Sequence, residues 1–279
     1  MIRQFVILIL MLATSVVVFA ETAETRLQRE SNKGIDILPG NLSVATAFGL
    51  SGTVSDESQS EGTRTASIFL GPRYAFDNGS ALSLGFSLVQ ETEIKRLDAS
   101  NLSINYTLPS KSFFNDQLSW GTTLNATAPT NGRAYRDQSY RGAAGLSTSL
   151  SGAVLKNTFP LNLSYTLNGG KLFHKFRRNN LRAQNTEYFV GHTGTISKSL
   201  SKFTLSASGT FRPTWTYQSI YKPTYALSQS LSYRDKGFTY TVSHSNGGSA
   251  LDYQGDFDNV KPFDDYTSQI NFSLGYVIN

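Results

Sequence analysis

Residues 268–279 read SQINFSLGYVIN, and within them Ile270, Phe272, Leu274, Tyr276 and Ile278 alternate with Gln269, Asn271, Ser273 and Gly275. Successive side chains of a strand point to opposite faces, so this period of two predicts a strand with one apolar and one polar face. The same alternation recurs at 42–53, 64–76, 81–90, 99–108, 117–128, 139–151, 158–168, 186–197, 203–215, 224–233 and 238–245, and the last strand is placed at 266–278. The positions between the apolar ones are mostly Ser, Thr, Gly, Asn or Ala.

The start of the chain is a separate object. Arg3 precedes an apolar run over 5–20 (FVILILMLATSVVVFA), which predicts a secretion signal peptide cut after Ala20. The run is short for a spanning helix, which needs about 20 residues. Residues 21–40 show no alternation and are read as an N-terminal periplasmic tail or plug, and 41–279 as the β domain. The chain has 0 Cys, which argues against a small secreted domain stapled by disulfides and against a lipoprotein signal. The net charge of +5 includes Arg3. The charges concentrate in candidate loops, with no basic stripe interleaved with stacking aromatics, so nucleic acid is not expected as a partner.

Connection lengths alternate. With the first strand outbound, the outer connections are 54–63, 91–98, 129–138, 169–185, 216–223 and 246–265. The inner ones are 77–80, 109–116, 152–157, 198–202 and 234–237, shorter as a set and rich in turn residues such as Asp77-Asn78-Gly79-Ser80. Aromatics on the apolar faces sort by strand end. Tyr74, Phe76, Trp120, Phe159, Phe203, Tyr233 and Phe238 fall at the inner rim, and Tyr140, Tyr165, Tyr188, Trp215, Tyr225 and Tyr266 at the outer rim. Leu, Ile and Ala fill the middle, as in a wall that faces lipid between two interfaces.

Over residues 42–279 the chain therefore resembles the twelve-stranded bacterial outer-membrane β-barrels as an architectural group. The resemblance implies a single-chain antiparallel transmembrane barrel with short periplasmic turns, longer extracellular loops and both termini periplasmic. Residues 268–279 resemble the signal read by the barrel-assembly machinery, although they end in Asn279 and not in Phe or Trp. Outer-membrane lipid and lipopolysaccharide are implied partners.

The other face of each strand carries small hydrogen-bonding side chains, such as Asn162, Ser164, Thr166 and Asn168. Twelve strands lined this way enclose open volume. The expectation is a channel for small polar or anionic solutes, and the alternative is a non-conducting surface barrel that binds partners through its loops. Arg73, Arg141, Arg212 and Glu187 are the expected charged lumen residues, either pairing with one another or setting selectivity. Lys171, Lys175, Arg177, Arg178 and Arg182, with His174, form a basic outer loop, and Asp252, Asp256, Asp258, Asp264 and Asp265 an acidic one. The two loops are expected to be solvated, to pair across the mouth, or (the basic one) to contact phosphate groups or an acidic solute. The aspartate spacing fits no Ca²⁺ loop motif, and no metal or cofactor is expected.

A lipid hydrolase is a third reading. Ser243-His244-Ser245 puts the serines on the opposite face from the histidine in a regular strand, unless a bulge intervenes. Finally, parity turns His192, Gly194, Ala207, Gly209 and Gln229 outward at mid-height. This marks either a bulge that turns His192 inward or an oligomer contact through strands eight to ten.

Overall fold

The computed structural model of the chain describes residues 40–53, 64–91, 96–114, 117–154, 161–252, 254–257, 259–263 and 267–278. The expected signal peptide, residues 21–39 of the expected tail, Phe159, Asp258, Asp264, Asp265, Tyr266 and Asn279 lie outside these residues.

The described strand segments join into a closed 12-strand antiparallel barrel. Its strands are β1 (Leu42–Thr53), β2 (Arg64–Ala75), β3 (Ala81–Glu91) and β4, which is broken into Arg96–Ala99, Leu102–Thr107 and Lys111–Phe113. Then come β5 (Leu118–Ala128), β6 (Tyr140–Val154), β7 (Leu161–His174), β8 (Thr186–Leu200) and β9, broken into Phe203–Arg212 and Thr214–Thr216. The last are β10 (Thr224–Asp235), β11 (Phe238–Ser249) and β12 (Gln269–Ile278). Each strand pairs with its sequence neighbours, and β12 closes on β1 from Val44 opposite Ile278 to Thr53 opposite Gln269. Closure leaves no sheet edge unpaired, which is the condition for strands to cross hydrocarbon.

The barrel is inside out relative to a water-soluble protein. Phe48, Ile68, Leu84, Leu124, Leu146, Leu163, Leu205 and Val242 are exposed, while Ser51, Ser67, Ser147, Ser230, Thr241, Ser243 and Asn271 are buried. Among the described residues the buried hydrophobic set is only Ala81, Tyr140, Tyr225 and Ala250. An apolar belt on this scale is not stable in water. It suits a hydrocarbon surround, and strands of 10 to 15 residues, as in β12 and β6, are long enough to cross one when tilted.

Two rims differ. At one, described turns are tight: Asn78 caps 77–80 through its carboxamide on the Ser80 amide (2.9 Å), and Gly237 turns at φ 85°. Aromatics gather there in contact, Tyr74 with Phe76 (5.0 Å), Phe203 with Tyr233 (5.0 Å) and Phe238 with Tyr276 (4.6 Å). This turn rim carries the aromatic girdle expected from sequence. The opposite, loop rim departs from expectation in three aromatics. Tyr140 is buried against His174, Tyr225 is buried too, and Tyr165 lies in the lower half of β7, well away from the loops.

Several strands run further toward the loop rim than the alternation predicts. β7 continues to His174 and β11 to Ser249, so 169–174 and 246–249 are wall and not loop. Gly169-Gly170 and Gly247-Gly248 read as turn residues in sequence, but Gly170 pairs in register with Gly145 and Phe189. A Cβ on Gly170 would sit 2.7 Å from the Ala144 carbonyl and 2.9 Å from the Phe189 ring, so glycine serves close packing there. Within the expected loop 129–138, a short helix, α1 (Gly132–Asp137), is capped by the Asn131 side chain on the Ala134 amide.

Candidate functional site

The interior is the candidate site. Inward side chains of neighbouring strands bond along the wall: Ser51 with Thr65 (2.7 Å), Thr193 with Thr210 (2.9 Å), Ser206 with Ser230 (2.7 Å) and Ser208 with Ser228 (2.8 Å). Asn125 donates to Asn105 (3.0 Å) and accepts from Ser147 (3.0 Å). On the far side Asn271 donates to Ser245 (3.0 Å). Each bond joins adjacent strands, which is what alternation places opposite one another. Such a wall is polar and small, and its hydrogen bonds are partly met within the sheet.

The expected charged lumen residues do not form one ring. Arg73 lies near the turn rim, opposite Ser43 and Ser83. Arg141 and Arg212 lie near the loop rim, at the start of β6 and the end of the first β9 segment. Arg141 sits in a bulge between Tyr140 and Gly142, its guanidinium 3.7 Å from the Tyr135 ring centre of α1. Arg212 lies 4.2 Å over the inward-facing Phe189 ring. Glu187 pairs with none of them. It falls where the β8–β9 register shifts, and its carboxylate meets Lys171 at 3.0 Å. Lys171 in turn donates to Tyr188 (2.9 Å), so it belongs to the outer wall of β7 and not to the basic loop.

Two interior features escape the sequence reading. Arg96 bridges Glu91 (3.0 Å) and Asp98 (2.7 Å) between β3 and β4. The alternation around the exposed Leu97 was the available signal, hidden by the charge density of 91–98. Phe69 and Phe189 face inward, and the glycines beside them mark the places. A Cβ on Gly71 or Gly170 would fall within 3 Å of a Phe69 or Phe189 ring carbon respectively.

The described loop residues are organised by hydrogen bonds and ring contacts. Asn185 is buried and its carboxamide donates to the carbonyls of Gln138 (3.0 Å) and Phe176 (2.9 Å). Tyr217 donates to the Leu172 carbonyl (2.9 Å), and its hydroxyl accepts from the His174 amide (3.2 Å). His174 packs edge-on between Tyr140 (5.6 Å) and Tyr217 (5.8 Å). Loops 129–139, 175–185 and 217–223 are thus knit together above β6–β9. Lys175 lies over the Phe176 ring (5.2 Å). Arg177, Arg178 and Arg182 share this segment, with Arg178 opposite Gln184 in an isolated bridge.

The acidic loop goes elsewhere. Asp252 spends its carboxylate on its own turn, accepting from the amides of Gln254 (2.8 Å) and Asp256 (2.9 Å). The segment that follows packs on the outward side of β10 and β11, where Tyr225 and Lys261 exchange backbone–hydroxyl bonds (3.1 and 3.3 Å). Among the described residues no ion pair joins this loop to the basic one. Among the described residues there is also no cluster of metal-ligating side chains.

His192, Gly194, Ala207, Gly209 and Gln229 share one parity, the outward one. His192 opposes the exposed Leu167 and Phe211, and its Nδ1 lies 2.7 Å from the hydroxyl of Tyr165. The β8 register is unbroken there, so no bulge turns it inward. The Gln229 carboxamide oxygen accepts from His244 Nδ1 (2.9 Å). Gly194, Ala207 and Gly209 floor a largely apolar groove of about 700 Å³ in the outer wall, flanked by Leu163, Tyr165 and Leu227. The register through Ser243, His244 and Ser245 is also unbroken. His244 faces out while Ser243 and Ser245 face in toward Asn271, so no Ser–His pair forms from these residues.

An outer-membrane channel from Pseudomonas putida F1 matches with a TM-score of 0.56 at 10% identity, over 88% of this chain and 98% of that one. The NanC porin matches at 0.49 and 15% identity, over 85% and 98%. A KdgM porin matches at 0.46 and 13%, over 84% and 98%. No protein-family model and no curated protein sequence matches the chain. The chain has the fold of the twelve-stranded outer-membrane barrels.

Proposed function

We propose that this protein is an outer-membrane channel that passes small polar or anionic solutes by diffusion through a Ser/Thr-lined lumen. The observation that carries the reading is the inverted polarity, with an apolar belt outside and small hydroxyl side chains inside, bonded along the wall. A non-conducting barrel would need its interior filled or bridged. Among the described residues, the interior ion pairs of Arg96 stay on one wall, to Glu91 on the adjacent strand and to Asp98 on its own, and do not cross. Arg73 and Arg212 bias the path toward anions, Arg212 from its seat on Phe189. The turn rim, where the described chain begins and ends, faces the periplasm, and residues 21–40 act there as a periplasmic tail or as a plug, which their deletion distinguishes.

The knitted loops support a second reading, in which the loop cluster around Asn185 binds a partner at the cell surface. Swelling of proteoliposomes separates the two. The channel reading predicts osmotic swelling in small neutral and anionic solutes, faster when residues 21–40 are deleted. No swelling with either form, from barrels verified as folded, rejects the channel and leaves the surface role.

A further inference from the structure

The described residues of 250–263 are tied to the outside of the barrel. Its start is fixed by Ala250, fully buried, whose amide donates to the Pro223 carbonyl (3.0 Å). Asn259 then reaches back to the Ser249 carbonyl (3.0 Å). Lys261 meets Tyr225, and its carbonyl also accepts from Asn246. The Phe263 ring stacks on His244 at 5.2 Å and 26°. Phe257 approaches Phe211 at 6.2 Å. Tyr225, Phe211, His244 and Asn246 share the outward parity of Leu227 and Ile270, so every one of these anchors lies on the wall's outer side.

This arrangement has two consequences. Tyr225 is 7% exposed and Asn246 3%, although both point away from the interior. Their polar groups are therefore shielded from hydrocarbon, where they would be costly. At the same time the segment holds Phe257, Val260 and Phe263 outward, at 60%, 47% and 72% exposure. They continue the exposed apolar belt of β9–β11 at its loop-rim edge, where aromatic side chains partition into a bilayer interface.

We propose that residues 250–263 are a lipid-binding strap, inserting Phe257, Val260 and Phe263 among the acyl chains of the adjacent leaflet and covering the polar seat of Tyr225 and Asn246. The partner is the lipid surface itself. The inference does not depend on what, if anything, crosses the lumen.

The chain has 0 Cys, so single labels are unambiguous. Phe257→Cys and Val260→Cys, each carrying an NBD group, are reconstituted into phosphatidylcholine vesicles with and without acyl-chain bromination. Leu146→Cys on the mid-wall belt is the lipid reference, and Leu181→Cys, 88% exposed on the basic loop, the aqueous one. The strap predicts blue-shifted emission and bromine quenching at 257 and 260 close to that at 146. Emission and quenching no different from 181 overturn it. Tyr225→Phe with Asn246→Ala, which removes the seat, should reduce quenching at 260. Unchanged quenching there would show that the seat does not hold the strap.

Discussion

Leu146→Arg puts the membrane reading at risk most cleanly. Leu146 is the seventh of the 15 residues of β6, 48% exposed, and opposes the equally exposed Leu124 on β5. It therefore lies near mid-height on the apolar belt. An arginine facing lipid at the midplane of a barrel costs about 2–4 kcal/mol, and about 0–1 near the interfaces. The inward neighbour set offers a matched control. Thr195 opposes Ser164 and Ser208 on the polar face, so Thr195→Arg reaches into a wet interior. The assay is reversible guanidinium unfolding in phospholipid vesicles, followed by tryptophan emission from Trp120 and Trp215. Leu146→Arg should lower stability by about 2–4 kcal/mol, a factor of roughly 30 to 1,000 in the folding constant, and Thr195→Arg by under about 1 kcal/mol. Equal losses, or a loss below about 1 kcal/mol at Leu146, would refute the assignment of this face to hydrocarbon.

Other consequences follow from particular contacts. Gly170→Ala should destabilise by about 1–3 kcal/mol, because the Ala144 carbonyl leaves no room for the methyl group, whereas Gly194→Ala, with nothing within 4 Å, should be near neutral in the same unfolding assay. Asn185→Ala removes the donor to the Gln138 carbonyl and one of two to the Phe176 carbonyl, which keeps the Ser139 hydroxyl (3.3 Å), at about 1–3 kcal/mol for a buried polar group. Limited proteolysis should then cut within 175–185 while the barrel core resists, and an unchanged digestion pattern would deny the loop knot. A proposed oligomer contact through β8–β10 predicts that His192→Leu raises the monomer fraction in detergent. An unaltered distribution by light scattering would count against it.

Alternation carried most of the fold, since one face toward lipid and one toward water forces period two on every strand, and β12 declares it in ten residues. Strand ends were less legible. Glycines at 169–170 and 247–248 look like turns locally, but the cross-strand approach that demands them is set by a ring or carbonyl on another strand. The interior was legible as a composition and not as an arrangement. Alternation placed Arg73 and Arg212 near opposite rims only once the register was known, and it missed Arg96 because Glu91 and Asp98 made the stretch look like loop. The destination of 250–263 was not legible. Its aspartates suggested a mouth, whereas Tyr225, Asn246 and His244, spread over two strands, draw it outside.

Single-channel recording of the refolded protein in planar bilayers, with reversal potentials under a salt gradient, tests the channel directly. A channel gives steady openings with an anion preference that weakens in Arg212→Ala. Silence from a correctly folded barrel, with residues 21–40 present or removed, would contradict it.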